Sequence, residues 1–290
     1  MWLAFAFLSA VLLGFYDVSK KHSLRGNAVI PILFLNTLFC SLIFLPLAFQ
    51  TPFGGWAVQR YILLKACIVL SSWLLGYIGI KHLPITIVGP INATRPVMVL
   101  VGALLIFGER LNLWQWAGVL LAILGFFMLS RSGRKEGIDF RHNRWIAATV
   151  GAAVLGAISG LYDKYLMAAE GGLGLPRLTV QCWYNFYQAA MMGVMLLLLW
   201  WPKRRETTPF RWRWSILLIS IFLSVADYVY FYSLSLDGAL ISVVSMVRRS
   251  SVLVSFMLGA LLFHEKNLRS KAIDLVLVLL SMVLLWLGKN

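Results

Sequence analysis

Residues 241–263 read ISVVSMVRRSSVLVSFMLGALLF, an apolar run long enough to cross a membrane that nonetheless holds two adjacent guanidiniums, Arg248 and Arg249. A guanidinium keeps its proton, so placing one in hydrocarbon costs about 3 kcal/mol or more unless something compensates it. Such a cation either faces a bundle interior or wet cavity, or is tied to a carboxylate and locks two helices together. A second run, residues 85–107 (ITIVGPINATRPVMVLVGALLIF), carries a third guanidinium, Arg95. Three intramembrane cations make an anion the expected visitor.

Working outward, composition sets the class. Of the 290 residues 60% are hydrophobic and 13% charged, with a mean hydropathy of +0.82. A water-soluble domain of this size does not need that much apolar surface, so the chain reads as an all-α polytopic membrane protein in a lipid bilayer. The formal charge of +15 collects at helix ends, without the basic-aromatic interleaving of a nucleic-acid-binding domain. Positive-inside topology explains it, and no nucleic acid partner is expected. Cys40, Cys67 and Cys182 all fall in apolar segments and read as packing residues, with no metal or cofactor spacing. The first run starts at Trp2 and is followed, not preceded, by basic residues, so it reads as a membrane helix rather than a cleaved signal.

Apolar runs of spanning length predict ten transmembrane helices, at about 2–19, 28–49, 61–80, 84–107, 113–131, 145–168, 178–201, 214–236, 240–263 and 270–288. Alternate connectors are basic: Lys20, Lys21 and Arg25; Lys81; Arg131, Arg134, Lys135, Arg141 and Arg144; Lys203, Arg204, Arg205, Arg211 and Arg213; Lys266, Arg269 and Lys271. The other side has only Arg60, Arg110, Arg177 and Lys289. The expected location is therefore the cell (inner) membrane, with both termini outside the cytoplasm.

The halves repeat. Gly14-Phe15-Tyr16-Asp17 returns as Gly160-Leu161-Tyr162-Asp163, and Asn36 as Asn185. The stretch from Tyr77 matches the one from Tyr232, and Gly102–Glu109 returns as Gly259–Glu265. Five helices is an odd number, so the second copy enters from the opposite side. The expected architecture is two inverted five-helix repeats, 1–133 and 145–290, joined by a basic linker at 134–144, as in alternating-access carriers with a midplane site.

Each half closes on a helix ending in Gly108-Glu109-Arg110 or His264-Glu265-Lys266. With the five-helix duplication, this resembles the EamA family of the drug/metabolite transporter superfamily along essentially the whole chain. The resemblance implies a carrier of amino acids or other metabolites whose fourth and ninth helices line the cavity, where Arg95, Arg248 and Arg249 fall. Val247-Arg248-Arg249 is also similar to the Val-Lys-Arg of triose-phosphate translocators, whose basic pair grips phosphate. Where those translocators have a fourth-helix lysine a turn before a proline, this chain has Asn92, and Arg95 is displaced from it.

At about 1.5 Å of rise per residue, Arg95 lies around 15 Å into its helix and Arg248 and Arg249 roughly 12 Å into theirs, close to the midplane. Asp227 is the carboxylate at that depth and can neutralise one arginine; Arg248 and Arg249 point about 100° apart, so one is expected to pair with it and the other to bind substrate. Asn92, Asn185, Gln188, Tyr77 and Tyr228 are the expected hydrogen-bonding and stacking residues around an organic substrate. Asp17 and Asp163, equivalent in the repeat and near opposite ends, suit gating or proton coupling, or else are helix-end residues paired to neighbours.

The function expected from these residues is secondary active transport of a small organic anion or zwitterionic metabolite by alternating access, with proton or counter-substrate coupling. The alternative is a flippase for a phosphorylated or lipid-linked headgroup, which an arginine-lined path would also suit. An enzyme is not expected, because His22, His82, His142 and His264 are scattered at helix ends with no nucleophile-base pair.

Overall fold

The computed structural model describes residues 2–95, 97–99, 102, 112–134, 142–167, 172–235, 247–248, 250–263 and 268–288. Among these, ten α-helices form: α1 Trp2–Leu24, α2 Val29–Ala48, α3 Trp56–His82, α4 Ile85–Ala93, α5 Leu113–Arg134, α6 Arg144–Met167, α7 Arg177–Met195, α8 Trp214–Ser235, α9 Ser251–Phe263 and α10 Leu268–Leu287. A π-helical turn, Leu196–Trp200, extends α7. Among the described residues, four spans are long and apolar enough to cross a membrane by themselves: Val29–Ala48, Trp56–His82, Arg144–Asp163 and Arg177–Trp200.

Two boundaries differ from the hydropathy reading for one reason. Charged residues that read as connectors continue the helix, so α1 runs through Lys20 and Lys21 to Leu24, and α3 begins at Trp56, ahead of Arg60. Backbone hydrogen bonding favours the helix wherever water is scarce, and a lysine stem lies easily along its surface.

The interior joins Leu24, Ile32, Leu33, Tyr77, Ile91, Met192 and Ile219, from α1, α2, α3, α4, α7 and α8. Outward faces are also apolar: Leu120, Ile123, Phe127, Leu197, Leu198, Met257 and Leu261 are all exposed, as a lipid solvent permits. α1 packs chiefly on α8 and α3 on α6, while α2 meets α7, α4 meets α9 and α5 meets α10. Exchanging the first five helices with the last five turns the α1–α8 pair into the α6–α3 pair and leaves the other three pairs as they are. Close approach depends on glycine in places; a β-carbon on Gly79 would collide with Thr149 of α6, and one on Gly14 with Val254 of α9.

The fourth and ninth apolar runs are both interrupted next to their arginines. Thr94 caps α4, its Oγ1 donating to the Ile91 carbonyl at 2.7 Å, and Val97 N reaches back only three residues to Thr94 O at 3.0 Å. Ser250 repeats the device ahead of α9: its Oγ donates to Val247 O at 2.6 Å, and Leu253 N bonds Ser250 O at 2.8 Å. A hydroxyl that takes a carbonyl one turn back competes with the amide ladder and tightens the turn.

Candidate functional site

The charged side chains inside the bundle mostly come in pairs. Asp227 of α8 forms an ion pair with Arg248, whose guanidinium also sits 4.2 Å from the Tyr230 ring. Asp163 of α6 is paired with Lys65 of α3, and the Lys65 ammonium lies 5.1 Å from the ring of Tyr184 in α7. Asp17 is paired with Lys20 at 2.7 Å, both on α1; Lys20 Nζ lies 4.2 Å from the Tyr16 ring and 5.4 Å from that of Tyr77. In low dielectric each pair persists because breaking it would strand a charge.

Arg95 is different. Among the described residues no carboxylate lies within ion-pair distance of it; Nη2 donates to the Ala152 carbonyl of α6 at 3.4 Å, and its buried Nε has no partner. The guanidinium is wedged over Gly156, where any β-carbon would occupy its place. Ala152, Ala153, Gly156 and Ala157 keep that stretch of α6 small enough to admit it. Among the described residues this half-buried guanidinium therefore stands beside the break at Thr94 with no carboxylate in ion-pair contact.

Carboxamides also lie within the bundle. Asn92, half-buried at the end of α4, leaves Oδ1 without a partner. On α7, Gln181, Tyr184, Asn185 and Gln188 recur every three or four residues and are all buried. Asn185 Nδ2 and both amide atoms of Gln188 have no partner, and across the seam Asn36 Nδ2 is also unpaired while its Oδ1 accepts from Ser220 at 3.1 Å. Each unpaired polar atom costs about 1–3 kcal/mol unless water or a ligand meets it, so the interior here is polar and under-satisfied.

Other expected site residues are placed as follows. Tyr77 is buried beside Lys20. Tyr228 is 59% exposed and belongs to an outward stripe of α8 with Ile221, Val225 and Tyr232, so the helix turns it away from the interior. Arg249 lies outside the described residues, as do Glu109, Arg110, His264, Glu265 and Lys266. Reading the sequence missed Lys20 and Lys65 as partners of the two repeated aspartates. The signal for Lys20 was its i+3 spacing from Asp17; for Lys65 it was a lone cation inside an apolar run. Asp274, 1% exposed in α10, is a further buried carboxylate that the apolar reading of 270–288 passed over.

A family model described as the EamA-like transporter family matches residues 1–131 and 143–287. A curated protein of Archaeoglobus fulgidus, described as an uncharacterized transporter, is 27% identical over 134 residues, 44% of this chain and 47% of that protein. The chain thus spans about half the length of this curated relative. A solved structure described only as a crystal structure of a protein superposes with a TM-score of 0.64 over 99% of this chain and 98% of that one, at 14% identity, a likeness of fold.

Proposed function

This chain belongs to the EamA-like transporter family, a family of multi-pass membrane transporters, and from that premise we propose secondary active transport of a small organic anion or zwitterionic metabolite by alternating access. The two halves, 1–133 and 145–290, act as inverted repeats about the basic linker, with both termini outside the cytoplasm. The reciprocal pairing of α1 with α8 and of α6 with α3 supports that arrangement.

One observation carries the substrate reading: Arg95 is a half-buried guanidinium, its Nε buried and unpartnered, with no carboxylate in ion-pair contact among the described residues. A charge held this way, where bidentate bonds to carboxylate or phosphate are strong, attracts an anion into the bundle. Arg248 is committed to Asp227 and holds α8 to the ninth segment, while Arg249 is the second guanidinium proposed for the substrate. Asn92, Asn185, Gln188 and Tyr77 supply hydrogen bonds around the bound molecule. Asp163, held by Lys65 of α3, sits in the ion pair that opens and closes one end, whereas Asp17, whose pair with Lys20 stays within α1, is the residue proposed for coupling.

Counterflow in proteoliposomes tests this reading, with labelled dicarboxylates, amino acids and sugar phosphates as probes. Arg95→Gln abolishes uptake of whichever anion the wild type carries, by about a hundredfold or more, whereas Arg95→Lys keeps the charge, loses the planar fork and retains a measurable fraction. A folded Arg95→Gln protein that transports the same anion at the wild-type rate, or a wild type that carries only cations, overturns it.

A further inference from the structure

The connector between α7 and α8, described throughout, holds Lys203, Arg204, Arg205, Arg211 and Arg213 against a single acidic residue, Glu206. It has almost no regular structure, yet it is fastened. Asn27, in the turn after α1, donates from Nδ2 to Arg211 O at 2.7 Å and accepts from Arg211 N at 2.9 Å. Ser23 and Ser215 share a 2.6 Å hydrogen bond beside it.

Two of the cations are used internally. Arg213 donates to the His22 carbonyl, and Arg204 lies 4.3 Å from the Trp201 ring while donating to the Trp201 carbonyl at 3.2 Å. Lys203, Arg205, Arg211 and Arg25 are exposed and form no ion pair with a carboxylate among the described residues. Interleaved with them, Trp201, Trp212 and Trp214 are also exposed. Indoles at the ends of two apolar helices mark headgroup depth, where a ring can be half in lipid and half in water. Cations at the same depth, on a backbone already fixed, face phosphates rather than bulk water.

We propose that this connector, with Arg25, is a binding site for the phosphate headgroup of an anionic phospholipid. Complementary charge selects the anionic lipid, and the bracketing indoles hold its glycerol end against the bundle. The fastening by Asn27 fixes the backbone at Arg211 beside the turn that carries Arg25, which lowers the ordering cost of closing these cations on a phosphate.

Native mass spectrometry of the delipidated full chain, titrated with phosphatidylglycerol or phosphatidylcholine, counts the bound lipid. The wild type retains phosphatidylglycerol preferentially. The R25Q/K203Q/R205Q/R211Q variant loses that preference, on the order of fivefold per cation removed, and R60Q/R177Q, altered at the opposite helix ends, keeps it. Should the fourfold variant fail to fold, K203Q/R205Q and R25Q/R211Q each show a partial loss. Equal retention of both lipids by the wild type, an undiminished preference in the connector variants, or an equal loss in R60Q/R177Q overturns the site.

Discussion

Arg95 and Arg248 are the same side chain at similar depth, and their partners separate them. Removing the Arg248 guanidinium strands Asp227, and removing the Asp227 carboxylate strands Arg248; Arg248→Gln and Asp227→Asn are each expected to destabilise by about 3–5 kcal/mol. The double variant should recover much of that, since neither charge is left alone. Thermal unfolding in detergent checks the cycle, and additive losses would show that the pair contributes nothing. Arg95→Gln, by contrast, removes a charge that is in no ion pair among the described residues and should leave the unfolding temperature unchanged or raised while anion-induced stabilisation disappears. The three arginines were legible in the sequence because each interrupts an apolar run. Which of them had a partner was not, since that depends on helices distant in sequence meeting in space. Lys20 is hidden for another reason: counting basic residues by connector treats a lysine near a helix end as a topology signal, when its ammonium here pairs with Asp17. Lys65 falls in no connector, and its partner Asp163 lies on a helix distant in sequence.

At the level of the helix, the positions of most elements followed from run length alone, because hydrocarbon leaves the backbone no option but to bond within its own segment. The breaks did not follow. Pro96 announces the interruption after α4, but nothing as plain announces the one before α9, where Ser250 does the work with a hydroxyl. Thr94 and Ser250 thus hold two tight turns that set the direction in which Arg95 and Arg248 project. In the T94A/S250A variant the amide ladder should partly close, leaving stability similar or slightly higher while the initial rate of counterflow falls several-fold. Parallel unfolding curves and flux assays distinguish this from simple misfolding; an unchanged rate would reduce the two hydroxyls to local caps. Nor could run length foresee the outward rotation of Tyr228, because the stripe it joins at Ile221, Val225 and Tyr232 is as apolar-aromatic as the inward face.

Across the whole molecule, the repeat makes Asp17 and Asp163 equivalent in sequence, and folding makes them unequal. Asp163 is held by Lys65 from a different helix, whereas the lysine of Asp17 is one turn along its own. Separating α3 from α6 therefore breaks an ion pair, while moving α1 away from its neighbours leaves Asp17 and Lys20 together. Lys65→Gln or Asp163→Asn should raise thiol labelling of single cysteines at the Asp163 end, on a background lacking Cys40, Cys67 and Cys182, and the charge reversal K65D/D163K should lower it again. Asp17→Asn and Lys20→Gln should have little effect on either end. A carrier latched at one mouth only does not divide its idle time evenly: it waits with the unlatched mouth ajar, and cargo from that side finds it ready. The asymmetry of a single lysine would then set which compartment is served first, even though Asp17 and Asp163 stand in matching Gly-x-Tyr-Asp stretches.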